Sequence, residues 1–205
     1  MKIGPKYKLA RRLGDRIFPK TQTSKFTVSG TERKVTKKGK GRRGGTEFGL
    51  QLIEKQKARY TYGVSEKQFS NYVKKIHESK NDSPATSLFV ALESRLDNVV
   101  FRLGMVNSRL FARQAVAHGH ILVNGRKVTI PSYKVRVGEK ITVRPQSKDN
   151  GIFTGLAQRN ENYNVPAWLS FDTEKLAGEV KAAPVAGIAE SNLNFGVILE
   201  FYSRV

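Results

Sequence analysis

Apolar residues in the middle of this chain recur at helical spacing, and they switch to short alternating runs further on. Thr46 stands where a helix N-cap belongs, Glu47 falls in the first turn, and Gly63 ends the run. Within it Phe48, Leu52 and Gln56 lie on one stripe, while Lys55 and Arg59 share another face. Ser65, followed by Glu66 and Gln68, opens a second helix. Its apolar stripe is Phe69, Tyr72, Val73 and Ile76, with Lys67, Lys74 and Lys75 pointing elsewhere. Lys80–Pro84 reads as a loop. Leu88, Phe89, Leu92, Leu96, Val99, Val100 and Leu103 predict one helix from about Thr86 to Leu103, stopped by Gly104 in a left-handed conformation. Ser108 caps a short helix over 109–117, which Gly119 ends.

The period then changes. Asn124-Gly125 between two short β-prone runs is a strong hairpin signal, and Pro131 closes the second strand. Val135 and Val137 begin another strand, and Lys140–Arg144 makes a further one. Residues 147–162 are polar and weakly helical, whereas the closing run FGVILEFYSRV is rich in β-formers and predicts a strand packed back onto the body. At the other end, residues 1–46 form a polar arm. Its stretch Lys37–Gly45 cannot bury a core, so it predicts an extended or disordered segment that settles on a partner. The fold class that follows is α+β. A helical domain spans 46–90 and is completed by 147–205. A small α+β module spans 91–146, two helices packed on a short antiparallel sheet, and a basic arm occupies 1–45.

Charge narrows the function. The chain has 37 Lys+Arg against 17 Asp+Glu, net +20 over 205 residues, a repulsion that opposes compaction unless a polyanion is near. Nucleic acid is the commonest such partner; a merely soluble basic protein or a membrane-surface binder are the alternatives. Residues 1–46 carry net +13, residues 47–150 net +9 and residues 151–205 net −2, which predicts that contact with a polyanion stops before the C-terminal segment. Without cysteine there is no disulfide and no thiolate metal site. No apolar run is long enough to span a membrane, and the N-terminal stretch lacks an apolar secretory core, so a cytosolic or organelle-internal protein is expected.

The candidate chemistry clusters between residues 102 and 127. Arg109 and Arg113 lie one turn apart beside Gln114, with Phe111, Ala112, Ala115 and Val116 on the packing side. Arg102, Asn107 and Ser108 add donors at the turn before this helix, whose N-terminal N–H groups suit phosphate. His120, Asn124, Arg126 and Lys127 surround the hairpin. Such groups read RNA shape and backbone better than base sequence. Tyr60 and Tyr62 could stack on bases but fit packing as well. Enzymatic patterns fail on context. Gly39-Lys40-Gly41-Arg42-Arg43-Gly44 satisfies G-x-G-x-x-G, yet no strand precedes it; His118 and His120 lack further ligands for a metal; no Ser/His/Asp set or carboxylate pair can be assembled.

The segments FGLQLIEKQKARYTYGVSEKQF (48–69), LESRLDNVVFRLG (92–104), ARQAVAHGHILVNGRKVTIPSY (112–133), PAWL (166–169) and VILEFYSR (197–204), with GPKYKLARRLG (4–14) at the start, resemble the small-subunit ribosomal protein S-four family of bacterial or organellar type. The resemblance implies no enzymatic activity and no cofactor. It implies binding to the 5′ domain of small-subunit rRNA early in assembly, where the protein organises a multi-helix junction. It also implies a place beside ribosomal protein S-five at an interface linked to decoding accuracy, and a basic N-terminal region near the channel by which mRNA enters. On this chain Lys40, Arg42 and Arg43 would supply that region, and Arg11, Arg12, Lys55 and Arg59 would add RNA contacts. Many bacterial members bind zinc or an iron–sulfur cluster through N-terminal cysteines; with no cysteine here that role does not carry over. The family's usual Pro-Gly-Gln-His-Gly loop is replaced by the Lys/Gly/Arg run. Two rivals use the same module. An RNA-modifying enzyme would need a catalytic domain that residues 147–205 are too short to supply. A stand-alone RNA chaperone would not need the preceding 90 or so residues.

Overall fold

The computed structural model describes residues 3–23, 26, 46–79, 83–148, 150–153, 156, 163–185 and 193–204. The chain divides into two compact units: residues 1–85 with 191–205, and residues 86–190.

The first unit is helical. Helix α1 (Lys6–Leu13) ends at Gly14, whose φ of 70° satisfies a left-handed C-cap. Ala10, Phe18 and Phe26 form a small core with Ile3, Leu9, Ile17 and Tyr60 packed against it. The opening of the chain is therefore not arm throughout: residues 3–23 carry enough apolar side chains to fold onto α2. The Lys37–Gly45 stretch lies outside the described residues. Helices α2 (Glu47–Tyr62) and α3 (Glu66–Glu78) begin where expected. The Thr46 hydroxyl accepts the Gly49 N–H at 3.2 Å, and the Ser65 hydroxyl accepts the Gln68 N–H at 3.4 Å.

The buried face of α2 differs from the expected one. Gln51, Lys55, Ala58 and Tyr62 face inward, while Phe48 is 48% exposed. The closing run is also a helix and not a strand: Phe195–Ser203, for which Asn194 accepts the Val197 N–H at 3.2 Å. Intrinsic β preference yields here to packing. Phe195, Ile198 and Phe201 recur at three-residue spacing and are buried, and Tyr202 stacks on Phe69 at 6.0 Å.

The second unit contains α4 (Pro84–Glu93, from Thr86 onward), α5 (Leu96–Arg102), α6 (Arg109–Ala117) and a five-stranded antiparallel sheet. The single helix expected over 86–103 is broken at Ser94-Arg95. A loop crosses there and takes over the backbone bonds. Leu96 N–H donates to the Tyr133 carbonyl at 2.9 Å, Asp97 N–H to the Pro131 carbonyl at 3.1 Å, and Val135 N–H to the Ser94 carbonyl at 2.8 Å. That crossing also corrects the strand expected at Val135 and Val137, which is reduced to one bridge between Lys134 and Arg95.

The strands are β1 (Ile121–Val123), β2 (Arg126–Lys127), β3 (Lys140–Val143), β4 (Leu169–Asp172) and β5 (Ala177–Val180), in the order β2-β1-β3-β5-β4. Register aligns Val123 with Ile141, Ile141 with Gly178 and Gly178 with Phe171, so one face presents apolar side chains. Val99 and Val100 of α5, Leu103 at its C-cap, and Ala112 and Val116 of α6 join that face in a core with Trp168 and Phe153. The β4–β5 hairpin was not foreseen, and it moves the expected boundary: residues 163–185 complete the sheet unit, and only the last segment belongs to the helical one. The weakly helical 147–162 lies mostly outside the described residues; Pro145–Ser147 forms one 3-10 turn.

Candidate RNA interface

The run from Arg102 to Lys127 is held by cooperating turns. Gly104 has φ 76°, as its helix-stopping role requires, and Ser108 accepts the Phe111 N–H at 3.2 Å to start α6. Asn124 and Gly125, at φ 49° and 77°, make the tight hairpin, and the Asn124 side-chain oxygen also accepts the Lys140 N–H at 2.9 Å. Gly119 has φ 76°, and a Cβ there would run into the Lys127 stem. This glycine therefore leaves room for the Lys127 side chain at the C-terminal end of α6, where a cation is favoured. Gly119→Ala is expected to cost about 1–2 kcal/mol from the left-handed backbone alone, with Lys127 displaced besides. A urea midpoint unchanged by the substitution would contradict this.

Of the expected contacts, Asn107, Gln114, Asn124, Arg126 and Lys127 are exposed in this unit, and Ser108, Arg113 and His120 are half-buried. Arg102 and Arg109 are engaged within the fold. Arg102 forks onto the Glu93 carboxylate at 2.9 and 3.0 Å, and Glu93 is fully buried. Asn98 donates to the same carboxylate at 2.8 Å, and Arg109 donates to Asn98 Oδ1 at 2.7 Å while lying 4.5 Å from the centre of the Phe101 ring. Tyr163 donates to the Arg102 carbonyl at 3.2 Å, closing the end of α5. Glu93, Asn98, Phe101 and Tyr163 thus orient two of the expected arginines, and none of the four was singled out from sequence. The break between α4 and α5 brings them together, so no helical spacing could announce them.

Folding is therefore coupled to Arg109, which corrects the expectation that it lies on a purely polar face. Phe111, expected to pack, is 36% exposed. His120 bonds Ser147 through Nδ1 at 2.9 Å and sits edge-on to Phe153 at 6.3 Å, which fits packing. It lies 6.0 Å from His118, ring to ring.

In the helical unit Arg11 and Arg12 are exposed on α1. Lys55 is not available at the surface. It is 6% exposed, pairs with Glu66 at 2.7 Å, and lies 4.7 Å from the Phe201 ring centre. Arg59 grips the other Glu66 oxygen at 2.9 Å and covers Tyr60 at 4.9 Å. Both cations bind α2 to α3, and the stripe placed outside from sequence is inside because a carboxylate and aromatic faces receive its charge. Tyr62 is buried and Tyr60 packs on Phe18 at 6.2 Å, as the packing reading had it. Lys40, Arg42 and Arg43 lie outside the described residues.

Burial opposes ionisation of Glu66, but hydrogen bonds from Lys55, Tyr202 and Arg59 outweigh it and hold the carboxyl below its ordinary value of 4.5. A depressed folded-state value contributes stability above the ordinary one, and that stability is lost as pH falls through the folded value. Melting temperature followed by helix content should therefore drop on acidification below that ordinary value. Glu66→Gln should be less stable near neutrality and should flatten the drop; an unaltered pH profile in this variant would remove Glu66 as its source.

A short capped helix, a tight hairpin and exposed cations on a small sheet define the class: an RNA-binding module of the S4 domain type, whose family model matches residues 94–141. Residues 1–93 match the model of the ribosomal protein S4/S9 N-terminal domain. Proteins described as small ribosomal subunit protein uS4 are similar along nearly the whole length. The one from Roseiflexus sp. (strain RS-1) is 45% identical over 212 residues, 98% of each chain. Those from Halothermothrix orenii and Levilactobacillus brevis are 42% and 39% identical, again over 98% of each chain. The chain belongs to the ribosomal protein S4 family, whose members are structural and not enzymatic.

Proposed function

We propose that the chain is a structural component of the small ribosomal subunit that binds the 5′ domain of small-subunit rRNA and fixes a multi-helix junction there during assembly. The observation that carries this reading is similarity over 98% of both chains to proteins named for the small ribosomal subunit. The physical support is the division of labour among the cations. Some are locked onto buried carboxylates and hold the scaffold; others, such as Arg126 and Lys127, are exposed where phosphate can reach them.

The RNA surface runs over Asn107, Arg113, Gln114, Arg126 and Lys127, with Arg102 and Arg109 at its margin held in place by Glu93. Arg11 and Arg12 add RNA contacts on the helical unit. Holding RNA helices at one relative angle needs rigid donors on secondary structure more than base-specific contacts. By the same resemblance the protein works beside protein S-five in decoding accuracy, and Lys40, Arg42 and Arg43 approach mRNA where it enters the subunit. Its location is the ribosome, in the cytoplasm or in an organelle.

Binding to the rRNA 5′ domain, titrated beside an unrelated folded RNA of equal length across roughly 0.1–0.4 M salt, separates specificity from counterion release. A preference of about a hundredfold that survives the higher salt is the expected result. Equal affinities that vanish together would overturn the reading, because charge alone would then account for binding.

A further inference from the structure

Within the sheet unit lies a cavity of about 280 Å³ lined by none of the residues proposed above to contact RNA. Val99, Val137, Val180 and Pro184 wall it together with the Trp168 ring, and the exposed Lys134 and Arg136 also line it. Val137 is 59% exposed, an aliphatic side chain left in water at the groove. Among the described residues, none of those lining it is acidic. The neighbouring Glu139 is occupied, accepting the Arg136 N–H at 2.8 Å and the Tyr133 hydroxyl at 2.9 Å. Trp168 is 4% exposed, and among the described residues of this unit its indole N–H is the one buried side-chain donor without an acceptor.

We propose that this groove docks an apolar side chain of a protein partner that carries carboxylates on either side of it. The aliphatic walls select the anchor, since apolar surface is favoured there and needs no polar partner. A nucleobase has acceptors and donors around its whole edge, and a wall made mostly of aliphatic side chains would leave several of them unmet. The two cations then select the flanks: a carboxylate next to the anchor meets Lys134 and Arg136, and no acid is among the described lining residues. The inference does not depend on where rRNA binds.

Trp168 is the only tryptophan of the chain, so it reports on its own groove. The full-length protein is titrated with an acetylated, amidated peptide of alternating aspartate and leucine, and in parallel with the lysine–leucine counterpart and with AMP. A saturable change in Trp168 fluorescence is expected for the acidic peptide only. V137E should weaken it at least tenfold, and the K134E/R136E pair, tested separately, should do the same, while R126A/K127A leaves it unchanged. These side chains are exposed, and circular dichroism checks that each variant is folded. The proposal is overturned if no saturable change occurs, if AMP or the lysine peptide saturates as well, or if folded V137E and K134E/R136E bind like the parent.

Discussion

Asp97→Ala is expected to destabilise the sheet unit by about 3–5 kcal/mol, the usual consequence of removing one partner of a buried ion pair. Asp97 and Arg95 are 3% and 1% exposed, and the guanidinium reaches both carboxylate oxygens, at 3.0 and 2.6 Å. The same carboxylate accepts the Asn98 N–H at 2.9 Å in the first turn of α5. Alanine would leave the Arg95 charge buried without that carboxylate. Yet the pair is costly as it stands. Burial raises the Asp97 carboxyl above its ordinary value of 3.8, although Arg95 and Arg113 both work against that.

The sign is opposite to that at Glu66. A raised folded-state value contributes stability below the ordinary one, and the contribution is lost as pH rises through the folded value. Desolvation of Asp97 therefore offsets part of what the pair contributes at neutrality, and removing both charges should be far milder than removing one. The variant Arg95→Met with Asp97→Leu should regain most of the loss, because packed apolar groups often replace such a pair at no net cost. Urea unfolding read by Trp168, which lies in this unit, measures both variants. A cost within about 1 kcal/mol for Asp97→Ala, the scale of an ordinary substitution, would show that the pair does not hold the start of α5.

Local signals were legible wherever one residue decides a backbone geometry. Thr46, Ser65 and Ser108 cap their helices, Gly63 and Gly104 end theirs at positive φ, and Asn124-Gly125 turns the hairpin. What sequence did not disclose depends on segments meeting from afar. The break at Ser94-Arg95 exists because the loop near Tyr133 supplies acceptors and donors to it. The inward face of α2 is set by Glu66 and the C-terminal aromatics, so Lys55, expected to contact RNA, lies buried against them. The closing helix had its period in plain view, in Phe195, Ile198 and Phe201, but β-prone composition outweighed it in the reading. The site divided along the same line. Residue types at the turns pointed to RNA, whereas which arginines are exposed and which are tied to Glu93 or Asn98 follows only from packing.

That distinction decides how RNA affinity should be tested. Arg126→Ala with Lys127→Ala is expected to reduce affinity for the rRNA 5′ domain by about 2–4 kcal/mol if each cation makes a charged hydrogen bond, and to lower the salt slope by about two. Both side chains are exposed on the edge strand β2, so the folded state should change by no more than about 0.5 kcal/mol. The pair Arg109→Ala with Arg113→Ala looks equivalent in sequence but is not. Removing Arg109 deprives Asn98 Oδ1 of its donor and takes a cation from the neighbourhood of buried Glu93, 4.0 Å away. Affinity and stability should fall together there, and Arg109→Lys should recover little, since a single ammonium cannot keep the bond to Asn98 and also lie flat on Phe101. Titrations across salt, run beside urea unfolding of the same preparations, tell the two surfaces apart. If the hairpin variant keeps full affinity and an unchanged slope while folded, β2 is not part of the RNA surface, and the contact lies with α6 and α1 alone.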